Sequence, residues 1–168
     1  MKGPLFYSKI LLFGEYGIIK DSKGLSIPYN FYNGALKIID INTSLAKDSN
    51  TKLFRFYDYL KNLNSPLVNF NLDKFHSDLK LGMYFDSSIP EGYGVGSSGA
   101  LVAAIYDYYA IDKITVLENL TREKLLKLKE VFSTMESFFH GKSSGLDPLN
   151  SYLSCLLYTS PSPRDVEE

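Results

Sequence analysis

The run Pro90-Glu91-Gly92-Tyr93-Gly94-Val95-Gly96-Ser97-Ser98-Gly99-Ala100 has the residue types to hold an anion. Its glycines let the backbone turn sharply and come close to a ligand. A helix-forming apolar stretch follows, so the first N–H groups of that helix point back at the loop without partners. With the positive end of the helix dipole they make a site suited to phosphate. Ser97 and Ser98 add hydroxyls, and either could ligate Mg²⁺ beside phosphate oxygens. No lysine follows the glycines where a Walker A loop requires one. The Gly94-x-Gly96-x-x-Gly99 spacing lacks the early βαβ frame of a dinucleotide fold. A plain surface loop with a serine cap would use the same glycines without a ligand.

A second group is Glu136 followed by Ser143-Ser144-Gly145-Leu146-Asp147. Glu136 sits at the edge of an apolar helical stripe, beside Met135, where its carboxylate could face a cleft. Mg²⁺ favours one or two carboxylates completed by phosphate oxygens, and Glu136 could be one. An aspartate near a substrate hydroxyl can accept or orient its proton in phosphoryl transfer, and Asp147, after a glycine turn, is such a candidate. Read singly, Glu136 is a solvated helix residue and Asp147 a helix N-cap. The third group is Lys9, inside an otherwise apolar strand, followed by Gly14-Glu15-Tyr16-Gly17. A lysine there must snorkel to solvent or find a partner, and Asp147 would satisfy it. His76 falls in a polar helix and is expected at the surface, and His140 follows the amphipathic stripe at a helix's negative end. Neither is assigned to chemistry.

These residues need elements to position them. Residues 5–13 read as a buried strand, 25–29 as a short strand, and 35–42 as another. Ser49 is placed to cap a helix carrying Leu53, Phe56, Tyr57 and Leu60, and Asn71 one carrying Leu72, Phe75 and Leu79. Residues 81–85 read as strand, leading into the glycine loop and a helix with Leu101, Val102, Ile105, Tyr108 and Tyr109 on one face. Thr121 caps the next helix, whose Leu125, Leu128, Phe132, Met135 and Phe139 step by threes and fours. Asp147-Pro148 begins a further helix, with proline in its first turn.

Composition bounds what these elements can build. At 168 residues the chain is long enough for one domain with a real core and too short for two comfortable ones. Hydrophobic residues at 45% exclude a largely disordered chain, and a net charge of −1 offers no basic field to nucleic acid. The apolar runs are too short to span a membrane, and the Met-Lys-Gly-Pro start lacks the apolar stretch of a signal peptide. The single cysteine, Cys155, excludes an internal disulfide and a cysteine-cluster metal site. A soluble, cytoplasmic protein is the expectation.

In this order the three groups resemble the GHMP kinase superfamily, the galacto-, homoserine, mevalonate and phosphomevalonate kinases, and most of all its bacterial mevalonate kinases. The first family motif is similar to Tyr7 through Gly17. The phosphate loop, P-x-G-x-G-L-G-S-S-A, is similar to Pro90 through Ala100, with Val95 for the usual Leu and Gly99 for the usual Ala. Ser144-Gly145-Leu146-Asp147 stands for S-G-x-D, and the eleven-residue step from Glu136 to Asp147 fits mevalonate kinases.

The resemblance implies ATP and Mg²⁺ as cofactors and phosphorylation of the C5 hydroxyl of mevalonate in isoprenoid biosynthesis. Gly92, Gly94, Gly96, Ser97, Ser98, Gly99 and Ala100 would bind ATP, and Ser98 and Glu136 would ligate Mg²⁺. Asp147 would take or orient the substrate proton, while Lys9 would hold Asp147 and stabilise the transferring phosphoryl group. Glu15 and Tyr16 would lie near substrate, Tyr16 where mevalonate kinases often have His. Another acceptor (phosphomevalonate, homoserine or a sugar) keeps the same fold, as does a non-catalytic nucleotide- or RNA-binding module, though the near-neutral charge argues against RNA. The implied fold is α+β over residues 1–154: a mixed sheet backed by helices, with a left-handed βαβ unit. Nothing in the chain matches the family's C-terminal ferredoxin-like domain. Residues 155–168, with Ser160-Pro161-Ser162-Pro163, read as translated adapter sequence or a disordered tail rather than native protein. The chain is therefore expected to be a fragment with little kinase activity of its own. Its partners would be ATP and a small alcohol, with no nucleic acid or membrane, and a homodimer is compatible with the full-length protein.

Overall fold

The computed structural model describes residues 4–13, 24–38, 44–63, 67–115, 120–154 and 157–159. Strand β1 (Phe6–Phe13) pairs antiparallel with the long strand β2 (Gly24–Ile38). Residues 25–29 and 35–38 thus belong to one strand rather than two, and 39–42 lie outside the described residues. The interruption between them is a bulge. Tyr7 faces Asn33 while Ser8 faces Tyr29, which leaves Asn30–Tyr32 without partners in β1. The bulge projects an aromatic cluster, Tyr29, Phe31 and Tyr32, with ring centroids 5.0–6.1 Å apart. It also spoils the two-residue alternation of β1, so that Ser8 and Lys9 are both buried.

Helix α1 (Ser44–Lys61) begins five residues before the expected cap at Ser49. Ser44-Leu45-Ala46-Lys47-Asp48 carries no helix breaker, and Ser49 is used elsewhere. Its hydroxyl accepts the Phe85 N–H at 2.9 Å and ties α1 to the strand Met83–Ser87. Strand β3 (Asn69–Phe70) and helix α2 (Leu72–Lys80) follow, with Asn71 accepting the Lys74 N–H at 3.0 Å as the cap it was read to be. His76 is half-buried rather than exposed, because its ring stacks on Tyr57 at 5.1 Å. Strand β4 (Met83–Ser87) pairs with Gly34–Ile38 of β2.

Helix α3 (Ser97–Tyr109) runs through the centre of the molecule, with Ala100, Val102, Ala103, Ala104 and Ile105 fully buried. Its alanines let neighbouring elements approach closely. Strand β5 (Ala110–Ile111) pairs with β3. Helix α4 (Arg122–His140) is capped by Thr121 and buries Leu128, Phe132 and Met135 from the expected stripe. Helix α5 (Leu146–Leu153) packs on α3, and strand β6 (Leu157–Thr159) pairs with Gly24–Ser26.

The α+β class and the helical backing are as the resemblance implies. The sheet, implied to be mixed, is antiparallel at every pairing among the described residues. Two helices rather than one separate β2 from β4, so the chain reverses once more and returns antiparallel. The implied left-handed βαβ unit falls outside these pairings. Among the described residues, no helix is long and apolar enough to cross a membrane.

Candidate active site

The glycine loop joins β4 to α3 and lies on β1. The Lys9 N–H donates to the Val95 carbonyl at 3.0 Å, and a Cβ on Gly96 would stand 3.0 Å from Lys9 Cγ. Gly96 is the N-cap of α3 with φ of +83°, a left-handed conformation that disfavours any side chain. It provides no side-chain cap, so the first N–H groups of α3 face the loop as free donors from the helix's positive end. Gly92 and Gly94 are exposed, also at positive φ, with open space around them.

Lys9 is 5% exposed, and its Nζ stands 3.1 Å from Asp147 Oδ1. The partner foreseen for this lysine is the one it has. Asp147 lies in the first turn of α5, where Gly145 rather than Asp147 is the N-cap. It is held there by close packing: a Cβ on Gly99 would lie 2.7 Å from the Asp147 carbonyl carbon and 2.8 Å from Pro148 N. The Cα side of Gly99 is closed by this contact, while its N–H belongs to the first turn of α3. Ala100 is fully buried and its N–H donates to the Gly96 carbonyl.

Glu136 is 3% exposed, not a solvated helix residue. Its Oε1 accepts from Ser98 Oγ at 3.1 Å, and its Oε2 accepts from Ser143 Oγ. Ser143 Oγ in turn accepts the Gly145 N–H at 3.0 Å. Burial pushes the Glu136 carboxyl up to about 7, and the nearby Asp147 charge adds to this. Hydrogen bonds from Ser143 and Ser98, and the charge of Lys9, act the other way.

His140, to which the sequence assigns no chemistry, stands beside these residues. Its Nε2 lies 3.0 Å from Ser98 Oγ. The signal was present: Glu136 and His140 are four residues apart on one helix and so share a face. Ser98 donates its one proton to Glu136, so a His140 tautomer carrying its proton on Nε2 is the one that bonds to the Ser98 oxygen. Glu15 and Tyr16 lie outside the described residues.

Beside Ser97 and Ser98 opens a cavity of about 770 Å³, whose lining includes Lys52, Glu91, Phe139 and His140. Its size is in the range of small-molecule sites, roughly 300–1,000 Å³. Among the described residues no group of three or more His, Cys, Asp or Glu could hold a metal alone.

Fold and site together define an α+β domain whose central helix starts at a glycine loop, flanked by a buried lysine–aspartate pair and a buried glutamate. A family model for the GHMP kinases N terminal domain matches residues 56–154, more than half of the 168 residues. The chain belongs to the GHMP kinase family. Among solved structures it is similar to a crystal structure of mevalonate kinase at TM-score 0.49 and 15% identity, covering 93% of this chain and 52% of that one. The mevalonate kinase from methicillin-resistant Staphylococcus aureus MRSA252 gives TM-score 0.48 and 18% identity, covering 92% and 51%. The L. major mevalonate kinase in complex with R-mevalonate gives 0.47 and 17%, covering 97% and 52%. The chain spans about half the length of these structures. A search of curated proteins finds no match.

Proposed function

We propose that this chain supplies the ATP-binding half of a small-molecule kinase that phosphorylates the C5 hydroxyl of mevalonate. The observation that supports this best is the Lys9–Asp147 pair, 3.1 Å apart, packed under the glycine loop that opens α3. Family membership supports phosphoryl transfer, and the Glu136-to-Asp147 step, similar to that of mevalonate kinases, supports the acceptor. The cytoplasm is the proposed setting, and residues 1–154 the proposed domain.

In this reading the free N–H groups of α3 and the Ser97 and Ser98 hydroxyls bind the ATP phosphates. Asp147 accepts or orients the proton of the attacking hydroxyl. Lys9 fixes Asp147 in place and offers positive charge to the phosphoryl group as it moves. Glu15 and Tyr16 contact the alcohol. Ser98 Oγ and Glu136 Oε1, 3.1 Å apart, are hard oxygen donors of the kind Mg²⁺ takes. Burial makes the Glu136 charge costly despite its two serine hydrogen bonds, and a divalent cation would offset that cost. With only these two donors from the protein, the other ligands would be phosphate oxygens and water. When bound, Mg²⁺ neutralises charge on the polyphosphate.

The test is a saturation assay of the full-length gene product with ATP and a panel of alcohols. Mevalonate should give the highest kcat/KM. Turnover of only phosphomevalonate, homoserine or a sugar would keep the kinase and remove the substrate assignment.

A further inference from the structure

We propose that Lys52 is a phosphate-binding cation of the 770 Å³ cavity and that Glu91 holds it in reserve until a nucleotide enters. The inference rests on the reading of the glycine loop as the ATP phosphate site, and it adds a cation that the loop itself lacks. Among the described residues lining the cavity, Lys52 is the sole lysine, against the carboxylates Asp48, Asp86 and Glu91. Asp86 already pairs with Lys37, and Glu91 pairs with Lys52 at 3.0 Å. A polyphosphate entering this cavity would meet carboxylates on its wall, and Lys52 is the lysine there that could turn to face it.

The geometry allows that exchange. Lys52 Nζ lies 5.5 Å from the centroid of the Phe139 ring, which favours a cation over its face. The next residue, His140, touches Ser98 at the start of α3. Lys52 lines the same cavity as Ser97 and Ser98 at the start of α3, where the phosphates would bind. Its present partner is easily released. The Glu91 side chain is 75% exposed and that of Lys52 41% exposed, so their pairing is screened and weak. Glu91 adjoins Gly92 in the loop, and its carboxylate can return to water. A phosphate oxygen offers a stronger, charge-assisted bond in the partly enclosed cavity. The exchange leaves Lys52 paired at both stages and removes it from the carboxylate only when a better anion is present.

The two partners then have opposite effects on nucleotide affinity, which a merely structural surface pair would not. Calorimetric titration of the 168-residue chain with ATP, with Mg²⁺ in excess, tests this. K52A is expected to weaken ATP about tenfold, as loss of one charge-assisted bond does, with K52R retaining most of the affinity. E91Q, which frees Lys52 and removes a repelling charge, is expected to tighten ATP by about threefold. A K52A affinity equal to or above that of the unsubstituted chain, or an E91Q affinity equal to or below it, overturns the proposal and leaves the loop reading standing. No ATP binding by the unsubstituted chain overturns the loop reading, and this proposal with it.

Discussion

Lys9 keeps 7% of its side chain exposed and Asp147 keeps 36%, so the two halves of this ion pair fail differently when cut. D147A strands an ammonium in the interior and is expected to cost about 3 kcal/mol of stability. K9M retains the packing under Gly96 and leaves a carboxylate that water can reach, for a cost of about 1 kcal/mol. Urea unfolding of both variants checks the order. Glu136 gives a pH signature. Its carboxyl is raised from the usual 4.5 to about 7 by burial. Between those values the unfolded chain has released a proton that the folded chain keeps, so stability falls as pH rises through the window and stays low above it. The fall is about 3 kcal/mol, and E136Q is expected to abolish it. Denaturation midpoints at pH 5 and pH 8 measure this; an unchanged slope in E136Q would refute the assignment. Lys9 was legible in the sequence because a charge in an apolar strand demands a partner. The burial of Glu136 was not, because the serines that accept it into the interior, Ser98 and Ser143, come from different segments.

At the level of elements, the close approach of α5 to α3 sets where Asp147 stands. The point of contact is Gly99. A methyl there would meet backbone at 2.7 Å, and backbone cannot swing aside as a side-chain tip can. G99A is therefore expected to lose about 2 kcal/mol through overpacking and to pull Asp147 away from Lys9. Thermal melts report the first effect. Slower turnover at unchanged ATP affinity in the full-length protein reports the second; equal stability and turnover would show that α5 yields freely. Caps and amphipathic stripes were readable because they are local: Asn71, Thr121 and the stripe of α4 all hold. Ser49 and β2 were not, for the opposite reason. Ser49 serves a strand far along the chain, and β2 stays one strand across its bulge because β1 and β4 grip its two ends.

For the whole molecule, the motifs in their order pointed to a family whose model matches residues 56–154. What they could not supply was the cavity, since Lys52, Glu91 and Phe139 meet only once α1, the loop and the end of α4 are assembled. This chain spans about half the length of the solved structures it is similar to, and the proposed phosphoryl transfer is assigned to the full-length product. The 168-residue chain is expected to bind ATP but to turn over at least about a hundredfold slower than the full-length product, with its reacting groups less well enclosed. Parallel assays at matched concentration test this, and equal rates would contradict it. The most direct measurement is mevalonate-dependent ADP release by the full-length gene product and its D147N variant. The account predicts release that requires mevalonate and falls at least about a hundredfold in D147N. Release that needs no alcohol, or that D147N leaves unchanged, would contradict it.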